Sequence, residues 1–508
     1  MKHFALPVIC GALFACSPGV SPESMTAPKI VGDAPSCRGE SLDLSPDGRW
    51  IAVTCRDFSA SIIEVDPAKL DTLGAMTSLP KVGSGEGIRF HPSGAFAALS
   101  AYREAACPQG NANPQCQSPF GSEVVILGFP QSGAPASLKP AVIDRWPVAQ
   151  GDTSCLAGED VAFSADGRRL AVICNLPSQV FVFDADPASE GFGQVLHRVD
   201  VPAGDGRTGW LDEVVINADG SRIYISELDG EQVKSGVVQV VDGAAGKLKT
   251  PIKAPHMLVG LHLDPSGSHL VSTAWQVGAA RIDLAKPAAE DGILMLRYDG
   301  GGFSYDLTTG SAPGGRYGYA VTQYPARLDV YDFDTRKRGS VALPDVRSRQ
   351  PTATVPRRDG QRLYVQHEVG KVIIVDPQLP APEAYVAQFT LDAPCQGEAS
   401  LSWSAPGATA VKINGAEQKP EGAQVVMSEK TRRHTLEATF PQGKVITSTV
   451  QWRPEAKVYS GVCGQVPTPV APAPAEPVPA EPVPTEQPVK QPAPTPPGGA
   501  APPAPPTP

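Results

Sequence analysis

The stretch ESLDLSPDGRWIAV, Glu40–Val53, decides the fold. Its two halves alternate apolar and polar residues with the period of two that belongs to a strand, and a Pro-Asp-Gly turn joins them. Gly48 stands where a tight hairpin needs positive φ, a conformation glycine adopts without steric cost. The unit then recurs as IRFHPSGAFAAL at Ile88–Leu99, VAFSADGRRLAV at Val161–Val172, VVINADGSRIYI at Val214–Ile225 and LHLDPSGSHLVS at Leu261–Ser272. Two looser copies centre on Gly315, leading into Tyr317–Val321, and on Gly360, leading into Leu363–Val365. Gly48, Gly94, Gly167, Gly220, Gly267, Gly315 and Gly360 thus mark seven units, 45–53 residues apart except for one interval of 73.

A third alternating run follows most of these hairpins and ends in Asp: IIEVD at Ile62–Asp66, VFVFD at Val180–Asp184, VVQVVD at Val237–Asp242, LDVYD at Leu328–Asp332 and VIIVD at Val372–Asp376. A sheet this small cannot bury both faces alone, whereas radial stacking against equivalent neighbours buries them. Repeats of this length are those of propeller blades, and the units resemble the YVTN and WD-repeat-like propellers of bacterial envelope proteins. The expected fold class is all-β: a seven-bladed β-propeller over residues 37–383, with an array of β-sandwiches as the competing arrangement. A segment around Lys29–Asp33 is expected to supply the outer strand of the last blade.

Beyond the repeats, ASLSWS at Ala399–Ser404, VKING at Val411–Gly415, HTLEATF at His434–Phe440 and KVITSTVQW at Lys444–Trp452 read as strands. They point to a small immunoglobulin-like β-sandwich over residues 384–465, with Trp403 in its core. Residues 466–508 are so rich in Pro that they cannot bury a core, and a disordered Pro-rich tail is expected.

At the other end, Met1-Lys2-His3 and the apolar run Phe4–Phe14 have the form of an export signal. Leu13-Phe14-Ala15-Cys16 resembles a bacterial lipobox, which implies a signal peptide over 1–15, lipidation of Cys16 and a lipidated linker over 16–36. Ser17 after that cysteine implies sorting to the outer membrane. No apolar run approaches the ~18–20 residues of a membrane-spanning helix. The net charge of −10, without any Lys/Arg-rich run, argues against nucleic acid as a partner.

Eight further cysteines outside the signal, Cys37, Cys55, Cys107, Cys116, Cys155, Cys174, Cys395 and Cys463, form an even set that in an exported chain reads as disulfides. Cys37 and Cys55 sit 11 residues before and 7 after Gly48, and Cys155 and Cys174 sit 12 before and 7 after Gly167. Positions nearly equidistant from a hairpin turn face each other, so Cys37–Cys55 and Cys155–Cys174 are expected pairs. Cys107–Cys116 would close a small loop, which leaves Cys395–Cys463.

Glu40, Glu86, Glu159 and Asp212 each precede a marker glycine by eight residues, with Asp160 and Glu213 beside two of them. At the start of an innermost strand they would form an acidic arc at the channel mouth, suited to a basic peptide or a divalent cation. The same acids can equally cap local backbone N–H groups. No Gly-x-Ser-x-Gly, His-Glu-x-x-His or phosphate-cradling motif occurs, so no catalytic residue is named and no cofactor beyond such a cation is expected. The expected function is a cell-envelope lipoprotein acting as a binding or scaffolding module for envelope proteins or peptides; a propeller enzyme of lactonase or hydrolase type is the alternative.

Overall fold

All seven marker glycines adopt positive φ, between 59° and 72°. Gly48, Gly94, Gly167, Gly220, Gly267 and Gly360 each donate their N–H to the carbonyl three residues earlier at 2.8–3.0 Å, closing a β-turn that the glycine leaves in the left-handed region. The first turn residue adds a side-chain acceptor: Ser164 Oγ takes the Arg169 N–H at 3.0 Å, Asn217 Oδ1 the Arg222 N–H at 2.8 Å and Asp264 Oδ1 the His269 N–H at 2.6 Å. Local chemistry alone therefore sets each hairpin.

The computed structural model describes residues 21–452 except 67–68, 84, 86, 103–121, 131–136, 202–209, 229–235, 265, 276, 288–291, 298–302, 310–314, 346–349, 358–359, 380–387, 393–398, 406, 427–431 and 442–443. Cys16, Glu86, Cys107, Cys116, Cys395, Cys463 and the 466–508 segment lie outside the described residues.

The protein is all-β and built of small, mainly antiparallel sheets. Each marker glycine joins the first two strands of a sheet. The first sheet orders Gly39–Leu44, Trp50–Cys55, Ala60–Glu64 and Met76–Leu79. The second orders Ile88–Phe90, Phe96–Tyr102, Ser122–Gly128 and Ala141–Pro147, and the third Gly158–Phe163, Arg169–Asn175, Ser178–Asp184 and Val195–Asp200. The fourth begins Trp210–Ile216, Arg222–Leu228 and Gly236–Asp242, with Lys247–Leu248 and Ile252–Ala254 both on its third strand. The fifth is Leu258–Leu263, His269–Ala274, Gly278–Asp283 and Ile293–Arg297. The sixth is Phe303–Thr309, Tyr317–Gln323, Arg327–Asp332 and Lys337–Ala342, with Glu23–Ser24 added in parallel. In the seventh, Pro351–Pro356, Leu363–His367 and Lys371–Asp376 are completed by Lys29–Pro35, so the fourth strand comes from the N-terminal side of the chain.

Both faces of these sheets are apolar because both are covered. Ser122–Gly128 is buried at every position. Val124 and Ile126 pack with Val172 and Phe183 of the third sheet, while Val125 and Leu127 pack with Ala52 and Ile62 of the first. Comparable clusters join the third sheet to the fourth, the fourth to the fifth, the fifth to the sixth and the sixth to the seventh. A further one joins Tyr364, Val372 and Ile374 of the seventh to Leu42, Ile51 and Ile63 of the first. Each fully buried Val, Leu or Ile is worth ~1.5–3 kcal/mol, so these interfaces dominate the stability.

After the seventh sheet, Gln388–Asp392, Ala399–Ser404 and Glu421–Val426 form one sheet, and Ala416–Gln418, Ala410–Ile413, Arg432–Phe440 and Lys444–Trp452 another. They share a core in which Phe389, Leu401 and Trp403 meet Val411, Leu436 and Phe440. The Trp403 indole N–H donates to the Lys419 carbonyl at 2.9 Å, which lets the ring be buried without an unpaired donor. Arg433 of this unit forms an ion pair with Asp186, beyond the third strand of the third sheet.

Cys37–Cys55 and Cys155–Cys174 are disulfide-bonded, each with Cα atoms 5.7 Å apart. The second closes a loop between residues 19 apart in sequence, and replacing both its cysteines by Ser is expected to lower stability by about 3 kcal/mol in denaturant unfolding.

His91 ties the second sheet to the third. Its ring stacks on Phe96 with centroids 4.3 Å apart, and Nε2 lies 3.0 Å from the Gly167 carbonyl. A carbonyl only accepts, so Nε2 carries the proton and Nδ1 accepts the Ser93 N–H at 3.1 Å. Burial pushes the His91 pKa down to about 4, because a charged imidazole there would lose its water. The unfolded chain therefore takes up a proton that the folded chain refuses. Stability is full above the ordinary histidine pKa of ~6.5 and is lost as pH falls towards about 4, by on the order of 3 kcal/mol. Thermal unfolding followed from pH 7 to pH 4 should show this decline, and His91→Phe should flatten its share of it.

Candidate functional site

The first strand of a sheet has a partner on one side only, so its outward N–H groups need acceptors from elsewhere. In six sheets that strand also carries a bulge near its start. Glu40 and Ser41 lie between the Gly39–Cys55 and Leu42–Val53 pairs, Glu159 and Asp160 between Gly158–Cys174 and Val161–Val172, and Asp212 and Glu213 between Leu211–Glu227 and Val214–Ile225. Gly260, Tyr305 and Thr352 are the extra residues of the fifth, sixth and seventh sheets. At Gly260 the chain has a φ of +68°, and a Cβ there would lie 2.8 Å from the Leu307 nitrogen, so glycine alone lets the fifth and sixth sheets come this close.

Carboxylates supply the acceptors. Asp43 of the first sheet takes the Phe90 N–H of the second at 2.7 Å, and Asp160 of the third takes the Val214 N–H of the fourth at 3.1 Å. Glu213 of the fourth takes the Leu261 N–H at 2.7 Å, and Asp212 the Gly260 N–H at 3.2 Å, both in the fifth. Asp306 of the sixth takes the Thr354 N–H of the seventh at 3.0 Å, and the Thr352 hydroxyl of the seventh donates to the Gly39 carbonyl of the first at 3.0 Å. Between the second and third sheets the Gly87 N–H donates to the Glu159 carbonyl at 3.0 Å, and Arg89 lies 3.7 Å from Asp160. Each of these acids thus clasps the neighbouring sheet through a backbone hydrogen bond, and the bond is stronger where the carboxyl is ionised.

The first strands of all seven sheets line one cavity of about 80 Å³, bordered by Glu40, Ser41, Leu42, Asp43, Arg89, Asp160, Asp212, Glu213, His262, Asp306 and Thr352–Val355. The volume suits a few waters or an ion, well below the ~300–1,000 Å³ of an ordinary small-molecule pocket. Arg89 is its cation. Burial alone would lower the Arg89 pKa, but Asp160, Glu213, Asp43 and Asp306 outweigh it and hold the guanidinium charged. Burial raises the carboxyl pKa of Asp160, against the pull of Arg89. It raises Glu213 well above the carboxylate range, helped by repulsion from Asp306, Asp160 and Asp212, and it lifts Asp306 to about 6 against the Thr354 N–H and Arg89. His262 is pushed down to about 3 by burial and by Arg89, so its imidazole is neutral at physiological pH.

Of the six acidic positions singled out in the sequence, Glu40, Asp160, Asp212 and Glu213 come together at this cavity. Glu159 is buried and accepts the Asn175 amide N–H at 2.9 Å, and Glu86 lies outside the described residues. Glu40 pairs with Arg56, which also reaches Glu368 of the seventh sheet at 2.6 Å. Asp43, Arg89 and Asp306 belong to the site as well, and so does His262, whereas His269 engages its neighbour Ser268 at 2.8 Å. A signal for three of these was present: Asp43, Arg89 and His262 each stand five residues before a marker glycine. Compared with protein-family models and with characterised proteins, the chain matches none.

Arg89 offsets several carboxylates in an enclosed space, so removing it leaves buried charge without a partner. Arg89→Met is expected to cost about 3–5 kcal/mol in chemical denaturation. Asp160→Asn added to it should restore part of the loss, so that the double variant is more stable than the sum of the single effects predicts.

Proposed function

We propose that the seven sheets are the blades of a seven-bladed β-propeller, closed by Lys29–Pro35 as the outer strand of the last blade and followed by an immunoglobulin-like sandwich. On this reading the protein is an envelope lipoprotein, anchored through Cys16, that recognises a protein partner with one end of the propeller. The apolar cluster between the seventh sheet and the first, and the cavity lined by all seven first strands, support the closed arrangement.

The observation that carries the recognition reading is a pair of exposed apolar side chains held firmly in place. Leu176 is 40% exposed and Trp210 is 46% exposed. They flank a two-way bond in which the Leu211 N–H donates to Asn175 Oδ1 at 2.7 Å and Asn175 Nδ2 donates to the Leu211 carbonyl at 3.0 Å. Leu176 follows the second strand of its sheet and Trp210 begins a first strand, which puts both at the same end of neighbouring blades. Tyr324, 54% exposed, occupies the matching end of the sixth sheet. Exposed aromatic residues on a rigid frame are the usual anchors of protein interfaces. The clasped carboxylates and the small cavity leave little room for a lactonase- or hydrolase-type substrate, which favours recognition over that chemistry.

Photo-crosslinking in cells tests the reading. A photoreactive residue at Leu176 or Trp210 should trap a discrete envelope protein that one at Met76, an exposed outer-strand position, does not. Trp210→Ala should weaken capture by on the order of 30-fold, as for a ~2 kcal/mol anchor. Cys16→Ser should move the protein from the membrane to the soluble fraction. Equal trapping at all three positions would remove the recognition face, and an unchanged distribution would remove the lipid anchor.

A further inference from the structure

We propose that Glu213, His262 and Asp306 bind a divalent transition-metal cation of the Zn²⁺ or Mn²⁺ class, pinning the fourth, fifth and sixth sheets together. One donor atom from each of the three residues lies within 4.8 Å of the other two. Closing such a set onto a metal at ~2.0–2.2 Å needs side-chain movements of roughly an ångström.

A second observation points to a ligand. Asp306 is 7% exposed, and although one of its oxygens accepts the Thr354 N–H, Oδ1 is buried with no N–H or hydroxyl donor among the described residues and meets only the Glu213 carboxyl. Glu213 gives Oε2 to the Leu261 N–H, and its carboxyl also meets that of Asp306. Two carboxylates that face one another offer acceptors and no donor. Only a proton or a cation between them satisfies both, and a buried acceptor left unsatisfied costs ~1–3 kcal/mol.

The third member separates these two solutions. A shared proton has no use for His262, whereas a metal ion does. A His262 ring nitrogen lies beside the two carboxyls, and Nδ1 is 3.5 Å from the Thr308 hydroxyl, too far for a strong hydrogen bond. An imidazole with two carboxylates is a donor set suited to Zn²⁺ or Mn²⁺, while Ca²⁺ and Mg²⁺ prefer oxygen ligands throughout. The charge balance agrees. Asp43, Asp160, Glu213 and Asp306 act together on Arg89, and a divalent cation would offset much of the remaining negative charge. The cavity of about 80 Å³ also leaves space for waters to complete the coordination sphere. The inference does not depend on the recognition face, because its donors and its test are separate from Leu176 and Trp210.

The test uses the full chain, stripped with a chelator and then dialysed against Zn²⁺, Mn²⁺ or Co²⁺. One ion per chain is expected by elemental analysis, with a rise in unfolding temperature. Bound Co²⁺ should give visible absorption bands for nitrogen and oxygen ligands, a readout that needs no variant. Glu213→Gln and Asp306→Asn should each weaken binding by at least the ~10–100-fold typical of losing a supporting group, and His262→Gln should do the same without changing charge. Glu64→Gln, at an exposed position ending the third strand of the first sheet, should leave binding intact. Failure of the wild-type chain to bind any of the three ions stoichiometrically overturns the proposal. So does retention of the ion by folded Glu213→Gln and His262→Gln proteins. A rise in stability on Glu213→Gln without metal dependence would assign the pair to a shared proton instead, and would likewise overturn it.

Discussion

The structure depends on a backbone N–H that has no strand to bond. Each first strand lies at the edge of its sheet, so its outward N–H groups face away from that sheet, and in six of the seven a bulge also turns residues out of the ladder. Water cannot serve them all in so small a space. Carboxylates from the preceding sheet do, at Phe90, Val214, Leu261 and Thr354. The recipients Val214, Leu261 and Thr354 each stand six residues before a marker glycine, so the device is built into the repeat.

This arrangement explains why so many acids tolerate one another. Burying a carboxylate costs several kcal/mol unless it is hydrogen-bonded and offset by charge. Here Asp43, Asp160, Asp212, Glu213 and Asp306 each have a backbone donor, Glu40 pairs with Arg56, and Arg89 supplies the opposing charge from the second sheet. The acids are therefore part of the frame before they are part of any site. Because a carboxylate has two oxygens, clasping the next sheet occupies only one, and at Glu213 and Asp306 the carboxyls also meet each other.

The apolar interfaces and the polar centre do different work. Val, Ile and Leu on both faces of the middle strands supply most of the cohesive energy, as at Ser122–Gly128, without choosing precise partners. The clasps are directional and set the register of one sheet against the next. His91 does the same nearer the hairpins, where it reaches the Gly167 carbonyl across the interface between the second and third sheets.

Much of the fold was legible in the chain because it rests on local rules. A glycine at positive φ, a polar first turn residue and a period of two specify each hairpin without reference to the rest, and matched cysteine offsets around two turns point to the pairs Cys37–Cys55 and Cys155–Cys174, although Cys55 and Cys174 lie opposite Gly39 and Gly158 in the ladder and their partners just before those strands. The Lys29–Pro35 strand was anticipated from the missing fourth strand of the last repeat. The site was legible only in part. Strict alternation directs attention to residues eight before the glycine, yet one extra residue in the strand reverses which side chains face inward, and that extra residue leaves no mark in composition. Glu40 and Asp212 nevertheless line the cavity, whereas Glu159 at the same offset turns to Asn175 and its neighbour Asp160 enters instead. Asp306 stands nine residues before Gly315, outside any common register, and comes to Glu213 and His262 only because three separate sheets converge. The sequence by itself determined the hairpins, their number and two disulfides, since each depends on residues close to a single turn. Which acids meet Arg89 and His262 was decided by the tertiary structure alone, since that depends on distances between strands about 50 residues apart, over which side-chain charge and volume, rather than local propensity, govern.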